Sequence, residues 1–331
     1  MNNIKILDCT LRDGGYVNNW DFSLDAAKEI ISDVYDSGVR VIEVGLMASG
    51  NKSQGTKFVC LEDVEPVLSE KKQDCKYAVM ATVNEVSNLS VPDKKGSSID
   101  IIRIAFFKED MVRSFDIAAK MIEKGYEVFL QPMATFMYSE EELKSLISDV
   151  NIMQPSAVYM VDSFSNLYPG DVRKMADIYL DRLDNKIGFG FHAHNNIQMA
   201  YANVIEFMSS KTNHDLYIDG SIFGMGRGAG NVPVELIMEY LNKMGSSYKI
   251  ISILKCYEKC LKSIYQQYGW GYSHEYYLTA SLNMNSVYGW YLMNKGIKNI
   301  EDMNTILGKV SDDSKHFLNR AEIDSLIKEM S

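Results

Sequence analysis

Proline is scarce, six residues in 331, and no Pro-rich or low-complexity stretch interrupts the chain, so an extended linker between separate bodies is excluded. No apolar run approaches the roughly 18 to 20 residues that span a bilayer. The opening MNNIKILDCTLRDGG lacks the basic, apolar and small-residue sections of a signal peptide, so a soluble cytoplasmic protein without membrane partners is expected. Basic residues number 34 against 44 acidic ones, a net charge of -10, with no Lys/Arg stripe to follow a phosphate backbone. Nucleic acid is therefore not an expected partner. The five cysteines, Cys9, Cys60, Cys75, Cys256 and Cys260, are odd in number and form no C-x-x-C, which argues against a disulfide framework or a zinc knuckle. No G-x-x-x-x-G-K-[ST] occurs, and no dinucleotide fingerprint opens the first unit.

What the chain does have is a core-forming composition, 46% hydrophobic with 24% charged residues, and a repeating pattern. Eight nearly continuous apolar runs, at 4–9, 39–46, 76–83, 99–107, 126–133, 156–164, 186–194 and 216–224, are rich in Val, Ile, Phe and Tyr. Such runs suit strands buried on both faces of a parallel sheet. Helix-period segments lie between them, with Ser23 and Ser139 placed as N-caps and Gly38 and Gly125 just past helix ends. Eight βα units in the first 245 residues predict a (β/α)8 TIM barrel. Residues 246–331 lack strand signals and read as a small all-helical domain, with helices near 247–267, 275–294, 300–307 and 316–330. The polar loop 47–60 is long for a βα connection and belongs to the functional face.

The C-terminal strand ends of a barrel carry its active site, and here they are unusually polar. Asp8, Thr10, Arg12 and Asp13 follow the first run, Glu43 lies in the second, Asp162 and Ser163 end the sixth, and His192-Ala193-His194 ends the seventh. Residues i and i+2 of a strand share a face, so both imidazoles aim at one point. Two imidazoles with a carboxylate, for which Asp13 is the choice, suit a divalent metal that must also bind substrate oxygens. Hydrogen-bonded strand-end histidines without metal are the alternative. Arg12 beside that carboxylate is placed to stabilise an enolate oxygen or, alternatively, to form a salt bridge with Glu43; the two roles are compatible. The Gly-rich GMGRGAGN, Gly224 to Asn231, follows the eighth run.

Taken in order, TLRDG at 10–14, IEVG at 42–45, VYMVDS at 158–163, FHAHNN at 191–196 and GMGRGAGN at 224–231 resemble the DRE-TIM metallolyases, most nearly the pyruvate-specific class II aldolases of the 4-hydroxy-2-oxovalerate type. The resemblance covers the barrel and extends weakly to GWGYSHEYYLTASL. It implies a manganese or magnesium ion held by Asp13, His192 and His194, with Asn231 as a further ligand. It implies that Arg12 stabilises a pyruvate enolate, that Glu43 positions Arg12, that Asp162 and Ser163 lie at the substrate carboxylate and that Tyr272 lies near the aldehyde. The reaction implied is reversible cleavage of a 4-hydroxy-2-oxo acid to pyruvate and an aldehyde. The family's catalytic histidine is replaced by Tyr16; Tyr16 supporting a metal-bound water, or His274 from the tail, are the candidate sources of the base. Lys108 is the nearest lysine for an imine route. Tyr265, Tyr268, Trp270, Tyr272, Tyr276 and Tyr277 form an aromatic group suited to an aldehyde pocket or, with a slight preference, to a subunit or domain contact. A homodimer is expected, with a dehydrogenase as a further partner through the tail. An acyl-CoA enzyme of the Claisen type and a catalytically lapsed scaffold barrel are the competing readings.

Overall fold

The structure, a computed structural model, describes residues 3–50, 52–86 and 91–330. Eight parallel strands form the barrel: β1 (Asn3–Asp8), β2 (Val41–Met47), β3 (Lys76–Thr82), β4 (Ile101–Phe106), β5 (Glu127–Pro132), β6 (Ala157–Asp162), β7 (Gly188–Ala193) and β8 (Asp215–Gly220). Each pairs with its sequence neighbour, and β1 pairs with both β2 and β8, which closes the sheet. The loop 47–60 adds a two-residue strand, Lys57–Phe58, along β2. Strand burial is nearly complete because helices cover the outside and side chains fill the inside.

The interior is layered. One layer comes from alternate strands: Glu43 of β2, Arg103 of β4, Tyr159 of β6 and Asp219 of β8, all effectively inaccessible to water. Below it lie Leu7, Val41, Ala78, Ile101, Phe129 and Tyr217. The repeat G-F-G-F in β7 has a steric reason. A Cβ on Gly190 would come within 2.3 Å of the Tyr159 ring, and one on Gly188 within 2.6 Å of Tyr217, so glycine leaves room for both rings beneath His192.

Helices α1 (Leu24–Asp36), α2 (Met111–Glu123), α3 (Glu140–Met153), α4 (Pro169–Arg182), α5 (Ala200–Met208) and α6 (Val234–Lys243) surround the sheet. Ser23 caps α1 by accepting from the Ala26 N–H, and Ser139 with Glu142 forms a capping box on α3. Gly38 and Gly125 have positive φ at helix ends. The tail follows with α7 (Ile250–Cys256), which passes through a π turn at Tyr257–Leu261 into Lys262–Tyr268, then α8 (His274–Ser281), α9 (Val287–Asn294), α10 (Ile300–Gly308) and α11 (Arg320–Met330). Ile253, Cys256 and Leu261 pack into the main apolar cluster of the barrel, whereas Met284, Tyr288, Leu292, Ile306, Leu307 and Ile323 form a second cluster.

The single helix expected over 275–294 is two. Asn283 takes φ 53° between α8 and α9, a left-handed conformation that asparagine tolerates and that ends a helix. The resulting bend carries Asn285 to the barrel mouth, where it lines the inner cavity and donates through Nδ2 to the His316 backbone oxygen at 3.0 Å. Phe317 packs edge-on against Phe107 at 4.5 Å between centroids. Among the described residues, no helix is long and apolar enough to cross a membrane.

Candidate active site and metal centre

Asp13 and Arg12 sit on a buried helical turn, Thr10–Asp13, directly after β1. Thr10 fastens that turn: its hydroxyl donates to Asp8 at 2.9 Å and accepts the Ile222 N–H at 2.9 Å, tying β1 to the end of β8. Burial pushes the Asp8 carboxyl up to about 7, against its bonds from Thr10.

From this turn a closed circuit of charges descends into the barrel. Asp13 meets Arg12 at 2.5 Å, Arg12 meets Glu43 at 2.7 Å, and Glu43 meets Arg103 at 3.0 Å. Arg103 bonds to Asp219, Asp219 accepts His192 Nδ1 at 2.8 Å, and His192 Nε2 returns to Asp13 at 3.3 Å. Acidic and basic side chains alternate around this buried circuit, the arrangement that offsets the cost of taking them out of water. Arg12 holds the Asp13 carboxyl well below the usual range despite its burial. Burial likewise disfavours charge on His192, but its bonds to Asp13 and Asp219 prevail and raise its pKa.

Three carboxyl groups face two guanidiniums here, and a cation bound beside His192 would supply a further positive charge. The donor set fits one. Cys9, Asp13 and His192 bring ligand atoms within 4.8 Å of one another, a possible metal site. His194 lies beside His192, with ring centroids 4.7 Å apart. Its Nδ1 is 2.8 Å from the Asp162 carbonyl oxygen, which only accepts, so Nδ1 carries the proton and Nε2 presents its lone pair. Burial, then the neighbouring His192, pushes His194 down to about 3, leaving a neutral ring at neutral pH. Asn231 donates to Asp13 Oδ2 at 2.7 Å, while its own Oδ1 is buried without a partner. The Cys9 thiol donates to the Gly220 carbonyl at 3.3 Å and is pushed well up by burial, so it is a neutral thiol rather than a thiolate.

Arg12, Asp13, Tyr16, His192 and His194 line an inner cavity of about 80 Å³ with Gln131, Ser163, Arg227 and Asn285. Leu46, Met80, Ala105 and Met133 give it an apolar wall. Arg12 Nη2 is buried and has no partner among the described residues. Tyr16 is half-buried against Trp20, and burial raises its hydroxyl pKa. A Cβ on Gly15 would collide with the Trp20 ring at 2.2 Å, so the second glycine of the D-G-G turn is what lets Trp20 back Tyr16.

Other residues singled out from the sequence lie elsewhere. The Asp162 side chain accepts the Asn166 N–H at 3.1 Å within its own loop, leaving Ser163 on the cavity wall. His274 is exposed at the start of α8, 6.2 Å from the half-exposed Tyr272 ring, and neither lines the inner cavity. Lys108 pairs with Glu142 at the surface. Of the tail aromatics, Tyr268, Trp270 and Tyr276 wall an adjoining outer cavity, and Trp270 Nε1 donates to the Phe223 oxygen at 2.8 Å. Sequence reasoning missed Arg103, Asp219 and Cys9. Their signal was available: an arginine and an aspartate inside IDIIRIAFF and LYIDGSIFG are charges inside otherwise apolar strands, and buried charges need partners.

A family model described as HMGL-like matches residues 3–257. Oxaloacetate decarboxylase of Mycobacterium tuberculosis is 25% identical over 242 residues, covering 72% of this chain and 70% of that protein. 4-Hydroxy-2-oxovalerate aldolase of Thermomicrobium roseum is 28% identical over 250 residues, covering 73% and 67%. In three dimensions the chain resembles the N-terminal domain of a presumed aldolase from Bacteroides vulgatus, with TM-score 0.75 and 26% identity over 90% of this chain and 98% of that one. The family match spans well over half of the sequence, and the relatives are lyases by name, so the chain belongs to the HMGL-like family and is a carbon–carbon lyase of the DRE-TIM metallolyase superfamily, near the 4-hydroxy-2-oxovalerate aldolases.

Proposed function

We propose that this enzyme makes and breaks the C3–C4 bond of a 4-hydroxy-2-oxo acid through an enolate of pyruvate or a related 2-oxo acid. The observation that carries the reading is Arg12: a permanently charged side chain on the wall of the inner cavity, oriented by Glu43 at 2.7 Å, with Nη2 buried and unpartnered. Such a donor is arranged for negative charge that develops during reaction. Asp13, His192 and His194, with Asn231 Oδ1 beside them, would hold manganese or magnesium, which supplies Lewis acidity at the 2-oxo group when bound.

In cleavage the C4 hydroxyl passes its proton to water in the cavity, the C3–C4 electron pair passes into the enolate, an aldehyde departs, and water returns a proton to the enolate. Protonation at C3 then gives the methyl group of pyruvate. Tyr16 stays protonated at neutral pH, because burial raises its pKa, and holds its proton at Oη for the aldehyde oxygen in the condensation direction. The Ser163 hydroxyl and Gln131 are on the same wall to bind the carboxylate, and the Leu46, Met80 and Ala105 surface receives the C3 carbon. No lysine lines the inner cavity among the described residues, so an imine route has no residue to carry it.

The test is proton NMR of pyruvate in D2O with added Mn2+ or Mg2+. Loss of the methyl signal that depends on metal and disappears in Asp13→Ala supports the enolate step; no exchange with metal bound would turn the assignment to an acyl-CoA donor or another 2-oxo acid. Decarboxylation of oxaloacetate is the second reading, favoured by the Mycobacterium tuberculosis relative's name. It forms the same enolate but releases carbon dioxide, which a direct assay separates from aldol chemistry.

A further inference from the structure

The acceptor half of the substrate is unnamed by any of these residues, but the barrel mouth holds a second cavity. The inner one, about 80 Å³, has room for a molecule of only a few heavy atoms. The outer one, about 330 Å³, is walled by Tyr268, Trp270, Tyr276, Ser286 and Trp290 of the tail. Tyr16 and Arg227 line both, so a substrate reaching from one to the other passes these two side chains.

Arg227 differs from the other arginines near the site. Arg12 and Arg103 are buried and each is paired with carboxylates. Arg227 is exposed, pairs with no carboxylate among the described residues, and instead has its Cζ over the Tyr16 ring, 4.7 Å from the centroid. Contact with the ring face restrains the guanidinium without consuming its N–H donors, which stay available for a planar anion. The loop beneath it is fixed as well. Ala229 donates to Asn196 Oδ1 at 2.9 Å, and Gly228, at φ 69°, is so close to Asn196 and to Ser286 of the tail that a Cβ there would meet them at 2.7 and 3.2 Å. The cation therefore stands at a held seam between barrel loop and tail.

We propose, resting on the enolate reading of the inner site, that Arg227 is a specificity-determining residue that pairs with a carboxylate at the far end of the acceptor half. The substrate is then a 2-oxo acid with a second carboxylate that is retained in the aldehyde product. A single guanidinium matches one carboxylate in bidentate geometry. A phosphate dianion calls for a second cation, and among the described residues no other cationic side chain lines the outer cavity. A carboxylate lost as carbon dioxide is a poor fit, because pairing it with Arg227 would stabilise the ground state against departure. The aromatic walls suit the hydrocarbon stretch between the two ends.

The experiment compares 2-oxoadipate with 2-oxohexanoate, equal in chain length and different only at the far end, as competitors of pyruvate methyl exchange. 2-Oxoadipate is expected to inhibit at a concentration roughly 10- to 100-fold lower, the range of a hydrogen-bonded charge pair. In Arg227→Gln that ratio falls to near one, and Arg227→Lys restores part of it. A ratio near one in the wild type, or a ratio unchanged in Arg227→Gln, overturns the proposal; tighter binding of 5-phosphono-2-oxopentanoate than of 2-oxoadipate overturns the carboxylate assignment. The same ratio is read without turnover by quenching of tryptophan fluorescence, since Trp270 and Trp290 wall the cavity. An intact ratio with no pyruvate exchange would therefore sink the enolate reading and leave the Arg227 subsite standing.

Discussion

His192 Nδ1 lies 2.8 Å from Asp219 Oδ2, a contact made across the β7–β8 neighbour pair and buried beneath the mouth of the barrel. The carboxylate fixes which ring nitrogen carries a proton and thereby presents Nε2 toward Asp13.

Asp219→Asn keeps the shape and removes that control. Metal affinity is expected to fall by about 10- to 100-fold, the range for loss of a carboxylate behind a ligating histidine. Titration with Mn2+ followed by its EPR signal checks this, and unchanged affinity would remove Asp219 from the site. Because Arg103 also loses one of its two charged partners and keeps only Glu43, denaturant melts should report a loss of about 3 kcal/mol.

Cys9 falls within the cluster of possible ligands, yet its thiol is neutral and donates to Gly220. Cys9→Ala is therefore expected to keep Mn2+ affinity within about 3-fold of wild type, since hard oxygen and nitrogen donors do the binding. Iodoacetamide should fail to label Cys9 in the native protein at pH 8, as read by mass spectrometry. A collapse of affinity in Cys9→Ala would make it a thiolate ligand and change the expected metal.

The Asp8 carboxyl gives a pH signature. Its folded pKa of about 7 lies above the ordinary carboxyl value near 4, so between those values the native state holds a proton that the unfolded chain releases. The stabilisation is full below about pH 4 and is lost as pH rises through 7. Asp8→Asn, which cannot ionise, should gain on the order of 4 kcal/mol over wild type at pH 8 relative to their difference at pH 4. Urea melts at the two pH values measure this, and a pH-independent difference would refute it.

The barrel was legible because its strands are local events: each apolar run from IKILDC to LYIDGSIFG overlaps one of β1 to β8, to within one residue at the ends of β1, β2 and β8. The H-x-H of β7 was legible for the same reason, since period two alone puts both rings on one face. Arg103 and Asp219 were not, because their pairing spans 116 residues and exists only once β8 closes on β1. Tyr272 was assigned near the aldehyde by resemblance and His274 by standing beside it in GYSH; both are exposed and lie off the lining of the inner cavity, because the sequence does not show how the tail is laid over the mouth. The break between α8 and α9 turns on one asparagine, Asn283, whose left-handed backbone carries no signal beyond its residue type.

The outer cavity has walls from barrel loops and from the tail: the loop after β1 supplies Tyr16, the Gly-rich loop after β8 supplies Arg227, and the tail supplies Trp270, Tyr276, Ser286 and Trp290. The circuit from Asp13 through Glu43, Arg103 and Asp219 to His192 draws on the barrel alone. The catalytic circuit and the aromatic wall beside Arg227 are thus written in different stretches of the gene. A descendant could exchange its helical tail and reshape that wall while keeping both the circuit and the Arg227 cation, so diversification can proceed by grafting rather than by rebuilding the catalytic interior.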